Sequence, residues 1–351
     1  MHTRSAWISR MVRGSTLLFT LGLLLCLWAV AFPHAARAQD PPSGRGQVSL
    51  PGPMSTHVNI FNGNLAHARS DIAFDCPDCS LPLDVHLSYN SQDAQVAGSM
   101  RFLGWRFPYD VYYQPDDNGA VILYWSGGGS TRFSAGPEGG FEAPDGVYDE
   151  LTSPQPGQYV LTTCDGLVYY FDSPRHRRVT RIESTNGQWL AMTYDAGGQL
   201  TTITDSYARQ IQLGYDGDGY LSQVTDPNVS PARTVQFAHD LAGNLTGVTD
   251  PLGNTTHYGY DSNHRLTSIT DPGGSTLQIT YGADGRTSSQ RSSRSARYFA
   301  YDNEAKTTTV TDLIAGNKTR STIFYQDGRG RVLETKWPDG LTRTITCLLY
   351  T

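Results

Sequence analysis

The stretch Thr256-His257-Tyr258-Gly259-Tyr260-Asp261-Ser262-Asn263-His264-Arg265-Leu266-Thr267-Ser268-Ile269-Thr270-Asp271-Pro272-Gly273-Gly274 decides the fold. Thr256–Tyr260 is rich in Thr and Tyr, residues that suit a pleated, half-buried strand. Asp261–His264 turns the chain, and Arg265–Thr270 makes the return strand. Asp271-Pro272-Gly273-Gly274 turns it again, with Pro pre-set for its turn position and Gly free to take positive φ. The unit is one β-hairpin. The layout recurs upstream, as Gly219-Tyr220-Leu221 … Val224-Thr225-Asp226-Pro227 and as Gly243-Asn244-Leu245 … Val248-Thr249-Asp250-Pro251.

Aromatic–Asp pairs mark the period: Tyr194-Asp195, Tyr215-Asp216, His239-Asp240, Tyr260-Asp261 and Tyr301-Asp302. Tyr281 and Tyr325 keep the aromatic and lose the Asp. The steps are 21, 24, 21, 21, 20 and 24 residues. A period near twenty over seven copies is the signature of a repeat architecture. A lone hairpin is marginal in water, so the units are expected to share one sheet and bury their Leu, Ile, Val and Tyr against neighbours. Tyr at a strand end buries its ring and keeps its hydroxyl within reach of a partner. Asp beside a turn accepts from backbone N–H groups two residues on. Both residues are therefore read as structural.

The rest of the 351 residues agrees with an all-β chain. Gly (36), Tyr (20) and Pro (19) are plentiful. Residues 1–38 read as a signal peptide: Arg4, Arg10 and Arg13 precede an apolar run from Thr16 to Phe32, and Ala36-Arg37-Ala38 offers a cleavage site after Ala38. An uncleaved membrane anchor is the other reading, but the run is short for a span. These residues hold four Arg and no acid, so the remainder is four charges more acidic than the whole chain's −6. An acidic chain argues against nucleic acid as a partner, and after cleavage no membrane span is expected.

Residues 39–57, with Pro41, Pro42, Pro51 and Pro53, read as a linker. Residues 58–178 read as a separate antiparallel β region. Asn62-Gly63 between apolar residues is a hairpin signal. Leu81 to Tyr89 alternates with period two, as do Trp105, Phe107, Tyr109, Val111 and Tyr113, and Val121–Trp125 is a further strand. Residues 179–351 hold the repeats. Another Tyr-Asp pair is due about 21 residues past Tyr325, where the chain reads Cys347-Leu348-Leu349-Tyr350-Thr351. The expectation is a sequence truncated before a cap, with those five residues foreign to the natural protein.

Motifs that could carry chemistry are few. Cys76-Pro77-Asp78-Cys79 in an exported chain reads first as a local disulfide. Free or differently paired thiols and a metal or redox role are the alternatives, though no second Cys or His pair is at hand. Asp216-Gly217-Asp218-Gly219 faintly resembles a calcium loop but lacks the later Glu. Gly127-Gly128-Gly129 reads as a hairpin tip, and Arg175-His176-Arg177-Arg178 as a solvated basic linker. No catalytic constellation assembles from local spacing, and no cofactor is expected.

The pattern Tyr-Asp-x-x-Gly-x-Leu-x-x-Ile/Val-Thr-Asp-Pro-x-Gly resembles the RHS, or YD, repeat. It is best at 194–205, 215–227, 239–253 and 260–274, and fades over 281–302. Gly63-Asn64-Leu65, Ser88-Tyr89-Asn90-Ser91 and Leu103-Gly104-Trp105 look like the region preceding such repeats. The resemblance implies an antiparallel sheet spiralling into a hollow shell. In polymorphic toxins such a shell encloses a C-terminal effector, released by self-cleavage at a core motif beyond the repeats; neither motif nor effector is in this sequence. Related repeats serve adhesion in wall-associated proteins. The resemblance therefore implies a secreted or cell-surface, non-enzymatic shell partnered by a downstream effector, or alternatively an adhesin that binds surface glycans.

Overall fold

A computed structural model describes residues 48–74, 79–136, 140–314 and 318–344, and the description below is confined to them. The signal peptide, Cys76 and the last seven residues lie outside the described residues.

The fold is all-β, with antiparallel pairing throughout and a single turn of 3-10 helix at Ser91–Asp93. Twenty-eight strands form three sheets, and in each the spatial order of strands is their order along the chain. The first has five strands, from Ser49–Pro51 to Trp105–Arg106. The second has four, from Tyr112–Pro115 to Phe141–Glu142. The third has nineteen, from Glu150–Gln155 to Thr342–Thr344. Pure hairpin connections need no crossovers, which is what twenty-residue sequence units each closing on themselves dictate.

Two details differ from a simple reading of the alternation. Ser49–Pro51 lies within the stretch read as linker, yet it pairs with His57–Asn59 as an edge strand. The run from Trp105 to Tyr113 is not one strand. It breaks after Arg106 and resumes at Tyr112, because Pro108 has no N–H to give a ladder and the Asp110 N–H closes a turn on the Phe107 carbonyl at 2.9 Å. The alternating aromatics are all buried nonetheless. Their pattern reported burial correctly and strand continuity incorrectly.

The long sheet starts before the repeats do, since strands Glu150–Gln155, Gln158–Thr162 and Val168–Phe171 already belong to it. Within the repeats, Leu200 and Ile203, Leu221 and Val224, and Leu245 and Val248 are three apart and all buried. Period two would put such residues on opposite faces. The register resolves this. Tyr194 pairs with Leu200 while Thr193 pairs with Thr202, so Thr201 is an extra residue that resets the parity. The same one-residue shift recurs at Tyr215, His239, Tyr260, Tyr281 and Gln326. A bulge of this kind increases local twist, and it recurs in all but one of these repeats. The extra residue is Ser or Thr in the five copies from Thr201 to Ser288. Thr201 and Ser222 return their hydroxyls to the carbonyls of Thr193 and Gly214, both at 3.1 Å.

The Tyr301 copy, where the sequence pattern fades, pairs Asp302 with Thr307 and has no shift. Its turn is instead closed by Lys306 at φ +52°. Opposite the apolar face, Thr residues of neighbouring strands bond to each other: Thr225–Thr234 at 3.2 Å, Thr249–Thr255 at 2.9 Å and Thr270–Thr276 at 3.0 Å. That is the use of the Thr that precedes Asp in these three repeats.

Candidate functional site: the tyrosine face of the repeats

Each repeat Tyr reaches the preceding module. The hydroxyls of Tyr194, Tyr215, Tyr260 and Tyr281 donate to the carbonyls of Val179, Leu200, Leu245 and Leu266, each fifteen residues back, at 2.7–2.9 Å. Tyr301 does the same to Thr287 at 2.9 Å. Apart from that of Val179, the carbonyl belongs to the residue at the start of a return strand, where the register shift disturbs the ladder. Such a bond contributes on the order of 1 kcal/mol net. Burial pushes all five phenols up from their ordinary range. They stay protonated donors at any physiological pH.

The repeat Asp residues build the turns. Asp195 accepts the N–H groups of Gly197 and Gln199, Asp216 those of Asp218 and Tyr220, Asp240 those of Ala242 and Asn244, and Asp261 those of Asn263 and Arg265, at 2.8–3.0 Å. Asp302 accepts one, from Ala305. Fourth in most turns is a Gly at positive φ, whereas His264 takes φ +61° in the Asp261 turn. The Asp216 carboxylate, in the stretch resembling a calcium loop, is already used by two amides and by His239 Nε2 at 2.8 Å.

His239 and Tyr325 are the departures. His239 stacks on Tyr220, with ring centroids 4.1 Å apart. The Tyr325 hydroxyl accepts from Lys336 Nζ at 3.2 Å. Gln326, where an Asp would stand, is buried with no partner for Nε2.

The inward face is not empty: the N-terminal strands pack on it. Trp105, fully buried, donates its indole N–H to the Tyr260 hydroxyl at 2.8 Å. Tyr89 accepts from the Leu266 N–H at 2.9 Å and donates to the His264 carbonyl at 3.2 Å. Arg69 donates to the Tyr258 hydroxyl at 2.9 Å. Thr287 donates through both its N–H and its hydroxyl to the Gly63 carbonyl, and the Thr308 hydroxyl donates to the Ile60 carbonyl. Phe102 stacks on Tyr220 at 5.9 Å.

The Gly63-Asn64-Leu65, Ser88–Ser91 and Leu103–Trp105 segments thus meet the repeats directly. Sequence reasoning named them without seeing their partners, which lie more than a hundred residues away. The basic run is engaged as well. Arg175 donates to the Ala196 carbonyl at 2.8 Å, His176 stacks on Tyr194, and Arg178 pairs with Asp110 at 2.8 Å. It joins the two regions and is no solvated linker.

A cavity of about 140 Å³ lies beside that pair, under the Gly127–Gly129 hairpin tip, with Arg106, Tyr112 and Tyr124 in its wall. Arg178 is paired with Asp110 in the wall, and Arg106 with Asp93 at 3.8 Å beside it. Cys164 is exposed, and Cys79 is half-buried.

The fold and face define a repeat-built antiparallel β-sheet closed on one side by its own N-terminal strands. Residues 239–276 match the family model described as RHS Repeat. No curated protein matches the chain by sequence. Among solved structures, the chain is similar to the crystal structure of TcdB2-TccC3, at 12% identity, 83% of this chain, 18% of that chain and a TM-score of 0.38. The Photorhabdus luminescens Tc holotoxin pore gives the same four figures. The chain thus spans less than a fifth of the length of these proteins.

Proposed function

We propose that the chain is a stretch of shell wall in a secreted or surface bacterial RHS-repeat protein, non-enzymatic itself and enclosing or presenting a C-terminal effector. What carries this reading is the single nineteen-strand sheet, coiled by a shift in most repeats, with its tyrosines turned to the covered face. A wall needs that: hydroxyls that tie module to module and an outer surface of paired Thr. Export would proceed through residues 1–38 with cleavage after Ala38. Among the described residues no helix is long and apolar enough to cross a membrane.

An adhesin would present an aromatic strip for glycans. The repeat tyrosines are instead packed against the core, which favours the wall. The test uses the product of the full natural coding sequence. Limited proteolysis should leave a C-terminal segment resistant until denaturant opens the shell, and Edman sequencing should begin at Gln39. A C-terminal segment cleaved as fast as free peptide would overturn the shell reading, and specific binding on a glycan array would favour the adhesin.

A further inference from the structure

Buried polar atoms without partners concentrate at one place. Of the eight among the described residues, five belong to His57, His67, Asp71 and Gln290, where strands Thr56–Asn59 and Leu65–Ala73 meet the repeats. Native interiors seldom leave such groups unpaired, so their clustering marks a junction held below its possible stability.

His67 is at the centre. It is 4% exposed, and both ring nitrogens lack a well-formed hydrogen bond. Its ring lies 5.7 Å from Trp105 of the N-terminal strands and 5.8 Å from Tyr258 of the repeats, bridging the two. The backbone nearest its nitrogens belongs to Met54 and Ser55, two successive non-Gly residues at φ +53° and +54°. That left-handed pair is strained and stands next to the histidine.

The Met54 and Ser55 backbone favours the protonated ring, but no acidic side chain does. On the same strand Arg69 is a second positive charge, already bonded to Tyr258 and paired with Asp71 at 2.5 Å. On the strand Thr56–Asn59 the residue opposite His67 is Thr56, while His57 pairs with Ala66 and alternates to the other face; Tyr258 approaches from the repeats. From Asp84–Asn90 the paired residue is Tyr89, while Asp84 and His86 alternate to the other face. Arg106 follows Trp105 on its strand. No carboxylate among these bonds to the imidazole. Burial first, and Arg69 second, hold the ring neutral to about pH 4.

We propose that His67 is an acid-sensitive latch: a proton taken up by its imidazole drives the N-terminal strands off the repeat sheet. The opened state hydrates the imidazolium, frees the strained Met54-Ser55 turn, and breaks the Trp105–Tyr260 and Arg69–Tyr258 bonds together. The latch acts on the wall itself and goes beyond the enclosure of cargo.

The test is hydrogen exchange by mass spectrometry on the full chain between pH 7 and 4.5, corrected for intrinsic exchange. Over that range one proton with a folded pKa near 4 and an ordinary value of 6.5 lets opening grow about 60-fold. Peptides covering 56–73 should lose protection about sevenfold per pH unit below 6, while peptides covering 200–215, whose strands pair within the repeat sheet, keep theirs. His67→Gln should flatten the slope, and His57→Gln should retain most of it. A flat wild-type profile at 56–73, simultaneous loss at 200–215, or an unchanged slope in His67→Gln overturns the latch. If His67→Gln does not fold, the wild-type slope and its confinement to 56–73 decide alone.

Discussion

Tyr260→Phe removes one oxygen and leaves the ring in place, so its cost can be worked from the hydrogen bonds. In the wild type the hydroxyl donates to the Leu245 carbonyl at 2.7 Å and accepts from Trp105 Nε1 at 2.8 Å. Tyr215 makes only the first kind of bond, to Leu200 at 2.9 Å. A carbonyl has a second lone pair and tolerates the loss of one partner; an indole N–H has a single donation to make. Trp105 is fully buried, so its N–H meets no water once the oxygen is gone. Losing one bond costs about 1 kcal/mol, and stranding a buried donor costs about 1–3 kcal/mol more. Tyr215→Phe should therefore destabilise by about 1 kcal/mol and Tyr260→Phe by about 2–4 kcal/mol. Urea denaturation followed by Trp fluorescence measures both, compared at equal slope. If the two variants agree within about 0.5 kcal/mol, the Trp105–Tyr260 bond does not anchor the N-terminal strands.

Three further predictions concern the turns, acid and sulfur. Asp261→Ala takes the acceptor from the Asn263 and Arg265 amides and should cost about 1–2 kcal/mol by the same denaturation assay, with Asp261→Asn recovering part of it. Burial pushes the Asp226 carboxyl up, but bonds from Arg233 and Asn228 outweigh it and hold the folded pKa below the ordinary 3.8; its stabilisation is present above 3.8 and lost as pH falls through the lowered value, so Asp226→Asn should remove a step in the acid titration of stability below pH 4 and leave the His67 window above it intact. We propose the Cys76–Cys79 disulfide for the exported chain, and mass spectrometry of non-reduced digests should find both cysteines in one oxidised peptide.

Much of this was legible in the residues. Hairpin, period, and the structural roles of Tyr and Asp followed from spacing and turn chemistry, because these interactions span at most about twenty residues. The register shift was also legible in principle: Leu-x-x-Ile cannot alternate with period two, and the Ser or Thr after each Leu was its mark. The junction was hidden. His67 stands in an alternating strand as an ordinary polar residue, and its partners on the repeats are nearly two hundred positions away. Pro108 shows the complementary failure, where side-chain alternation survives a break in the backbone ladder.

The N-terminal strands bite where the repeats are most regular. Trp105, Tyr89 and Arg69 bond to Tyr260, Leu266, His264 and Tyr258, within the stretch that matches the RHS model. A hairpin's own stability depends mainly on its neighbours. At Tyr260 the same hydroxyl closes the module below and receives the indole of the N-terminal strands. Shifting that hairpin by one residue would break both bonds and turn Leu266 away from the core. The demand for one register from two sides is a physical reason for the repeat pattern to be sharpest there.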